Sequence, residues 1–279
     1  MLDPVPRQFR QVDVFTEAPY LGNPVAVVLD AQGLETRQMQ ALASWTNLSE
    51  TTFVLPPTQA DADYQVRIFT PGTELPFAGH PTLGSCHAWL EAGGTAKKPD
   101  VIVQQCGAGL IKVRRTPAGL AFAAPPLLRD GPVAEPLLAE IAVELGVDRE
   151  DIADAQWADN GPGWVAVLLK SAADVLALRP GVVSHDIGVA GPYPPGSPAA
   201  FEVRAFFPKL ETTAEDPVTG SFNASLAQWL LSSGRASAPY VASQGTALGR
   251  RGRVHISAGD GALWVGGGTV TCVTGQIAL

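Results

Sequence analysis

The strongest constraint on this chain is that it says nearly the same thing twice. Arg67-Ile68-Phe69-Thr70-Pro71 returns 137 positions later as Arg204-Ala205-Phe206-Phe207-Pro208. Val25-Ala26-Val27-Val28-Leu29 returns after 140 positions as Val165-Ala166-Val167-Leu168-Leu169, and His80-Pro81-Thr82-Leu83-Gly84-Ser85 after 136 as Asp216-Pro217-Val218-Thr219-Gly220-Ser221. Three matches in one order, at almost one offset, point to a duplication spanning half of 279 residues. Two equal halves are expected to leave a cleft between them, with equivalent motifs on its two walls.

Two cores need apolar material, and 46% hydrophobic against 16% charged residues supplies it. The net charge of −8, with Arg250-Arg251-Gly252-Arg253 as the densest basic stretch, argues against nucleic acid as a partner. No run of about 20 apolar residues is present to span a membrane. Met1-Leu2-Asp3-Pro4-Val5-Pro6 lacks the basic-then-apolar order of a signal peptide. Cys86, Cys106 and Cys272 are odd in number and at no metal-ligand spacing, which suits a reducing compartment. The expected location is the cytoplasm.

Alternation and turn chemistry predict strands over 9–15, 25–29, 51–55, 64–69, 101–104, 109–115 and 119–123, with a short helix over 36–46 and a second from Pro81 to about Ala92. After a linker near Pro125-Pro126 the order repeats: a helix near 136–145, a strand over 164–169, a short helix near 172–178, a strand over 201–207, a helix from Val218 to Ser233, and strands over 239–243, 252–257, 262–265 and 268–278. The last of these could return to the first half, giving domains 1–125 plus 268–279 and 126–267. Gly84, Ser85, Cys86 and Ala88 in one long helix, and Gly220, Ser221, Ala224 and Ala227 in the other, are small and uncharged, as a helix enclosed by sheet must be. The fold class is therefore α+β, two pseudo-symmetric domains, each a barrel-like curled sheet around a central helix.

Each repeated motif ends where a helix begins. Proline suits a first helical turn, and the free N–H groups there make an anion site, so two such ends facing a cleft would hold a carboxylate. His80 and Asp216 stand at matching places in this pairing, with Asp216 also a ready N-cap. Glu74, Glu211 and Glu215 in the adjoining loops read as solvated. Glu50 is the asymmetry: counting onward by the repeat reaches only Asp186, without the surrounding Asn-Leu-Ser-Glu-Thr-Thr pattern. A part-buried carboxylate beside the cleft could act as general acid and base; capping or simple surface exposure is the plainer role. There is no HExxH, no GxSxG and no phosphate-binding glycine loop.

The segments Gln11-Val12-Asp13-Val14-Phe15-Thr16, Gly22-Asn23-Pro24, Asn47-Leu48-Ser49-Glu50-Thr51, Phe77-Ala78-Gly79-His80-Pro81-Thr82, Glu215-Asp216-Pro217-Val218-Thr219-Gly220-Ser221 and Gln244-Gly245 with Gly249-Arg250 span nearly the whole chain. With them the chain resembles the PhzF-like phenazine-biosynthesis isomerases, relatives of diaminopimelate epimerase. The resemblance implies the two-domain fold above, a homodimer, and catalysis with no cofactor and no metal. It places the acid/base role on Glu50 and substrate binding on Gly79, His80, Asp216, Gly220 and Ser221. The epimerase relatives use one cysteine from each half; here no cysteine stands just ahead of either long helix. One glutamate suits moving a proton on one face of a substrate, so an isomerase acting on a small carboxylate-bearing metabolite is expected. The alternatives are a cofactor-independent epimerase or racemase, and a small-molecule binding protein without turnover.

Overall fold

The structure is a computed structural model and describes residues 5–279. The chain divides into two compact units, the first reaching to Ala123 and resuming over Gly266–Leu279, the second running from Ala124 to Val265. Among the described residues no helix is long and apolar enough to cross a membrane.

Unit 1 contains β1 (Pro6–Val14), β2 (Asn23–Val28), α1 (Thr36–Thr46), β3 (Glu50–Leu55), β4 (Tyr64–Phe69), β5 (Glu74–Leu75), α2 (Gly79–Glu91), β6 (Val101–Cys106), β7 (Gly109–Thr116) and β8 (Gly119–Ala123). β1 and β2 are antiparallel, β2 and β3 parallel, β3 and β4 antiparallel. β4 then takes β5 antiparallel at one end and β6 parallel at the other, and β6–β7–β8 is a meander. Unit 2 contains α3 (Glu135–Leu145), β9 (Ile152–Trp157), β10 (Val165–Leu169), α4 (Ala172–Ala177), β11 (Ile187–Pro192), β12 (Phe201–Lys209), β13 (Thr212–Asp216), α5 (Gly220–Ser232), β14 (Tyr240–Gln244), β15 (Gly252–Gly259) and β16 (Ala262–Gly267). It runs the same series: β9–β10 antiparallel, β10–β11 parallel, β11–β12 antiparallel, β12 with β13 antiparallel and β14 parallel. The last strand, β17 (Thr269–Ala278), lies along β1 over its full length, with Pro6 opposite Ala278 and Val14 opposite Thr269.

Each unit is a sheet curled around one helix. α2 packs against β1, β2, β3, β6, β8 and β17, strands from both ends of the pairing series. Nine of its 13 residues are buried, and nine of the 13 of α5, so neither helix keeps a polar face for solvent. The approach is close. A Cβ on Gly84 of α2 would stand 2.3 Å from Val25 Cγ1 of β2. In unit 2 the small residue is on the strand instead: a Cβ on Gly188 of β11 would lie 2.1 Å from the Phe222 ring of α5. Helix and sheet surfaces that interpenetrate this far leave only glycine room at the contact.

The structure corrects the repeat in one place. α2 begins at Gly79 rather than Pro81, and α5 at Gly220 rather than Val218, which leaves Pro217 outside the helix. Phe69 pairs with Glu74 across the β4–β5 hairpin, and Phe206 with Glu215 across the longer β12–β13 hairpin. The four extra residues of that second hairpin raise the offset from 137 to 141. Glu74-Leu75-Pro76 then matches Glu215-Asp216-Pro217, and Gly79-His80 matches Gly220-Ser221. His80 is the counterpart of Ser221, Asp216 is the counterpart of Leu75, and the His80–Asp216 match at 136 is coincidental. Asp216 closes β13; the N-cap of α5 is Thr219.

The sequence reading had no strand for β5, β9, β11 or β13. The hairpin strands β5 and β13 pair two glutamates with arginines: Glu74 stays exposed as read, while Glu215, with its side chain 12% exposed, overturns the solvated reading. Arg67 holds Glu74 with two hydrogen bonds, from Nε at 2.7 Å and Nη2 at 2.6 Å, and Nη2 reaches Thr36 Oγ1 at the start of α1. Arg204 holds Glu215 in the same bidentate way, at 3.0 and 2.7 Å, while its Nη1 donates to the Val175 and Leu178 carbonyls at the end of α4. The repeated arginine thus clamps a hairpin to a helix in both units.

Candidate active site

In unit 1 three elements deliver three side chains to one spot. α1 ends at Asn47 in the left-handed conformation, φ 52°, and the reversed chain enters β3 with Glu50 as its first residue, opposite Val25 of β2. Asn23 opens β2. His80 is the second residue of α2. His80 Nε2 lies 3.3 Å from Glu50 Oε2, with side chains only 5% and 15% exposed, and Asn23 Nδ2 lies 3.4 Å from His80 Nδ1. Burial pushes the His80 pKa down to about 3, against a smaller opposing contribution from the Pro24 backbone, so the ring is neutral. A neutral imidazole has one N–H. Nδ1 faces the Asn23 amide and Nε2 faces Glu50 Oε2, so the ring stands between the two side chains.

In unit 2 the matching spot has different chemistry. Ser221, second residue of α5, accepts a hydrogen bond at Oγ from Trp164 Nε1 at 3.1 Å, and its carbonyl accepts from Asn160 Nδ2 at 2.9 Å. Opposite the first paired residue of β10, Val165, stands Ile187, fully buried, where Glu50 stands opposite Val25 in unit 1. Asp186 is one residue off that register, so it is not the counterpart of Glu50. Burial pushes its pKa up to about 6, with His185 opposing and Asp159 assisting.

Asp216 sits among fixed polar groups. Its Oδ2 accepts from Thr219 Oγ1 at 2.7 Å, and its carbonyl accepts from Gln244 Nε2 at 3.2 Å. Gln244 also donates to Thr219 Oγ1 and accepts at Oε1 from Thr219 N and Asn223 Nδ2, which pins the start of α5. In unit 1 Gln104 does the same for α2 by donating to Thr82 Oγ1 at 2.9 Å. Among the described residues no side chain caps α2 or α5, so the amides of Gly79 and Gly220 at their first positions face away from the helix as donors.

The structure therefore brings Glu50, His80 and Gly79 together in unit 1, and Asp216, Gly220 and Ser221 together in unit 2. Sequence reasoning gave no role to Asn23, Trp164, Asn160 or Thr219. Asn23 carried a signal, a polar residue heading an apolar strand before proline; a tryptophan reads first as core. The cysteines lie elsewhere: Cys86 is inside α2 with its thiol pushed up to about 12 by burial, Cys106 ends β6 and Cys272 is in β17. Among the described residues no three His, Cys, Asp or Glu side chains are grouped to hold a metal. A cavity of about 330 Å³ elsewhere in unit 1, beside Tyr64 and Trp89, touches none of these residues.

A family model described as phenazine biosynthesis-like protein matches residues 12–275. The chain belongs to this family. It is 37% identical over 291 residues to antisense-enhancing sequence 1 of Schizosaccharomyces pombe, covering 96% of this chain and 97% of that one. It is 31% identical over 278 residues to an uncharacterized isomerase of Pasteurella multocida, covering 98% and 94%. Over a shorter stretch of 77 residues, 28% of this chain and 27% of the other, it is 54% identical to trans-2,3-dihydro-3-hydroxyanthranilate isomerase of Pseudomonas aeruginosa. A solved PhzF-family structure from Enterococcus faecalis matches with a TM-score of 0.79 at 25% identity, covering 99% of this chain and 100% of that one. Fold and family agree with the expectations drawn from the sequence.

Proposed function

We propose that Glu50 is the single acid/base of a cofactor-independent isomerase that moves a proton on a small carboxylate-bearing metabolite. The chain is a small-molecule isomerase of the phenazine biosynthesis-like family, and relatives bearing that name support the reaction class. The observation that carries the role of Glu50 is its setting: a largely buried carboxylate, 3.3 Å from a neutral histidine that is itself held by an amide.

His80 stays neutral and stands 3.3 Å from Glu50 Oε2, so it flanks the carboxylate without a neutralising charge. The Glu50 carboxylate takes a proton from a substrate carbon and returns it to another on the same face, a task for one group rather than two. The absence of a cysteine beside either helix start favours this over inversion by a thiol pair. In this reading Ser221 and the first amide of α5, at Gly220, bind the substrate carboxylate, and Gly79 is a further substrate-binding residue. His80 and Asp216 orient its polar substituents. The homodimer and the cytoplasmic location belong to the same proposal.

The test uses Glu50→Gln, which keeps shape and cannot take up a proton. The variant is expected to bind anthranilate like the parent, to lose turnover by about 10²–10⁴-fold, and to stop exchanging substrate hydrogen with deuterated water. Deuterium entering at the parent's rate removes Glu50 from the role.

A further inference from the structure

The side chain that meets Ser221 comes from the loop ahead of β10. Asp159 Oδ1 accepts from the amides of Gly161 and Gly163, at 2.6 and 2.8 Å, and this turn delivers Trp164. Both glycines have positive φ, 141° and 95°, a conformation that other residues adopt at a cost. Trp164 is 4% exposed, its ring centroid 5.4 Å from that of Phe222, and its indole Nε1 donates to Ser221 Oγ. Asn160, from the same turn, ties down the Ser221 carbonyl.

A hydroxyl has one hydrogen and two lone pairs, whereas an indole N–H only donates. With Trp164 filling one lone pair, Ser221 Oγ keeps its hydrogen and a single further lone pair, beside first-turn amides of α5 that only donate. We propose that Trp164 is a specificity-determining positioning residue. It takes up one of the two acceptor positions of Ser221 Oγ, so that the start of α5 takes a carboxylate in preference to the uncharged amide of the same shape. A carboxylate brings acceptors alone; an amide must turn an NH₂ toward first-turn amides that have only hydrogens to offer and a hydroxyl with one lone pair left. The inference rests on the reading of Ser221 as a substrate-binding residue.

The experiment measures binding of anthranilate and of 2-aminobenzamide to the whole protein by calorimetry, for the parent, Trp164→Phe, Ser221→Ala and the double variant. Trp164→Phe keeps an aromatic ring against Phe222 and removes the N–H. Trp164→Tyr serves if that variant fails to fold. Each single change is expected to weaken anthranilate about five-fold, the worth of one net hydrogen bond. Binding of 2-aminobenzamide is expected to stay as it was, so the preference for the acid narrows. The double variant is expected to match Ser221→Ala, because Trp164 acts through Ser221. If Trp164→Phe weakens both ligands equally, leaves the preference intact, or adds its loss to that of Ser221→Ala, the inference falls and Trp164 is a packing residue. If the parent does not bind anthranilate, or Ser221→Ala binds it unchanged, the carboxylate reading of Ser221 falls first.

Discussion

His80 and Ser221 occupy the same second position of the same enclosed helix in the two units, but one is a neutral ring beside a carboxylate and the other a hydroxyl beneath an indole. Their partners also come from the same place, the residues just before the first parallel pair of strands: Asn23 in unit 1 and Trp164 in unit 2. Across that pair Glu50 is matched by Ile187. The scaffold functions are retained in both units: the arginine clamp on a hairpin, the glutamine that pins the helix start, the glycine at the helix–sheet contact. The difference teaches that duplication here kept what holds the backbone and released the handful of positions around the helix starts, with the Glu50–His80 pair in one unit only.

The sharpest way to break the comparison is to exchange its two carboxylates. Glu50→Gln is expected to cut turnover by about 10²–10⁴-fold, whereas Asp186→Asn, one residue from the matching position, is expected to leave kcat near the parent's. Steady-state kinetics on both variants decides it, and a collapse on losing Asp186 would reverse the assignment of the units.

The clamps give the next largest contrast. The side chains of Arg204 and Glu215 are 6% and 12% exposed, those of Arg67 and Glu74 24% and 38%. Arg204→Leu leaves Glu215 charged and buried, and is expected to cost about 3–5 kcal/mol in urea unfolding. Arg67→Leu, at the more exposed copy, is expected to cost about 1 kcal/mol or less. Equal losses would mean that the two copies are not graded by burial.

A smaller effect separates His80 from Ser221 by pH. Because folded His80 titrates at about 3, below its ordinary value of 6.5, the unfolded chain binds the extra proton between those limits. Stability is therefore full above pH 6.5 and falls as pH drops below it, by up to about 1.4 kcal/mol per pH unit from this group. His80→Gln removes that contribution and flattens the acid arm of a plot of unfolding free energy against pH; Ser221→Ala leaves the slope unchanged. The smallest expected effect is that of replacing Cys86, Cys106 and Cys272 together with Ala. Cys86 is a small buried hydrophobe, so stability drops modestly while kcat stays within about tenfold of the parent's. A fall below about 1% would revive a thiol mechanism.

Much of this was legible because local patterns repeat. The 137- and 140-residue matches are β4 with β12 and β2 with β10, and the small residues of both long helices marked them as enclosed. The third match failed for a local reason: Pro-x-x-Gly-Ser recurs by chance, while a hairpin longer by four residues moved the true register to 141. Glu215 read as solvated because a carboxylate near a turn gives no sign that Arg204, eleven residues earlier, folds back onto it. Trp164 could not be read at all. Its role is one hydrogen bond to a residue 57 positions away, and no periodicity encodes that.

β17 follows the whole of unit 2 in the chain yet lies along β1. During synthesis unit 2 can complete its own sheet while unit 1 still waits for a strand. Until then β1 is paired through β2 alone and offers its other edge, nine residues long, to any strand that comes near. The unit that begins first in translation is the one whose last strand is made at the end, and Glu50 stands on that late-completed sheet.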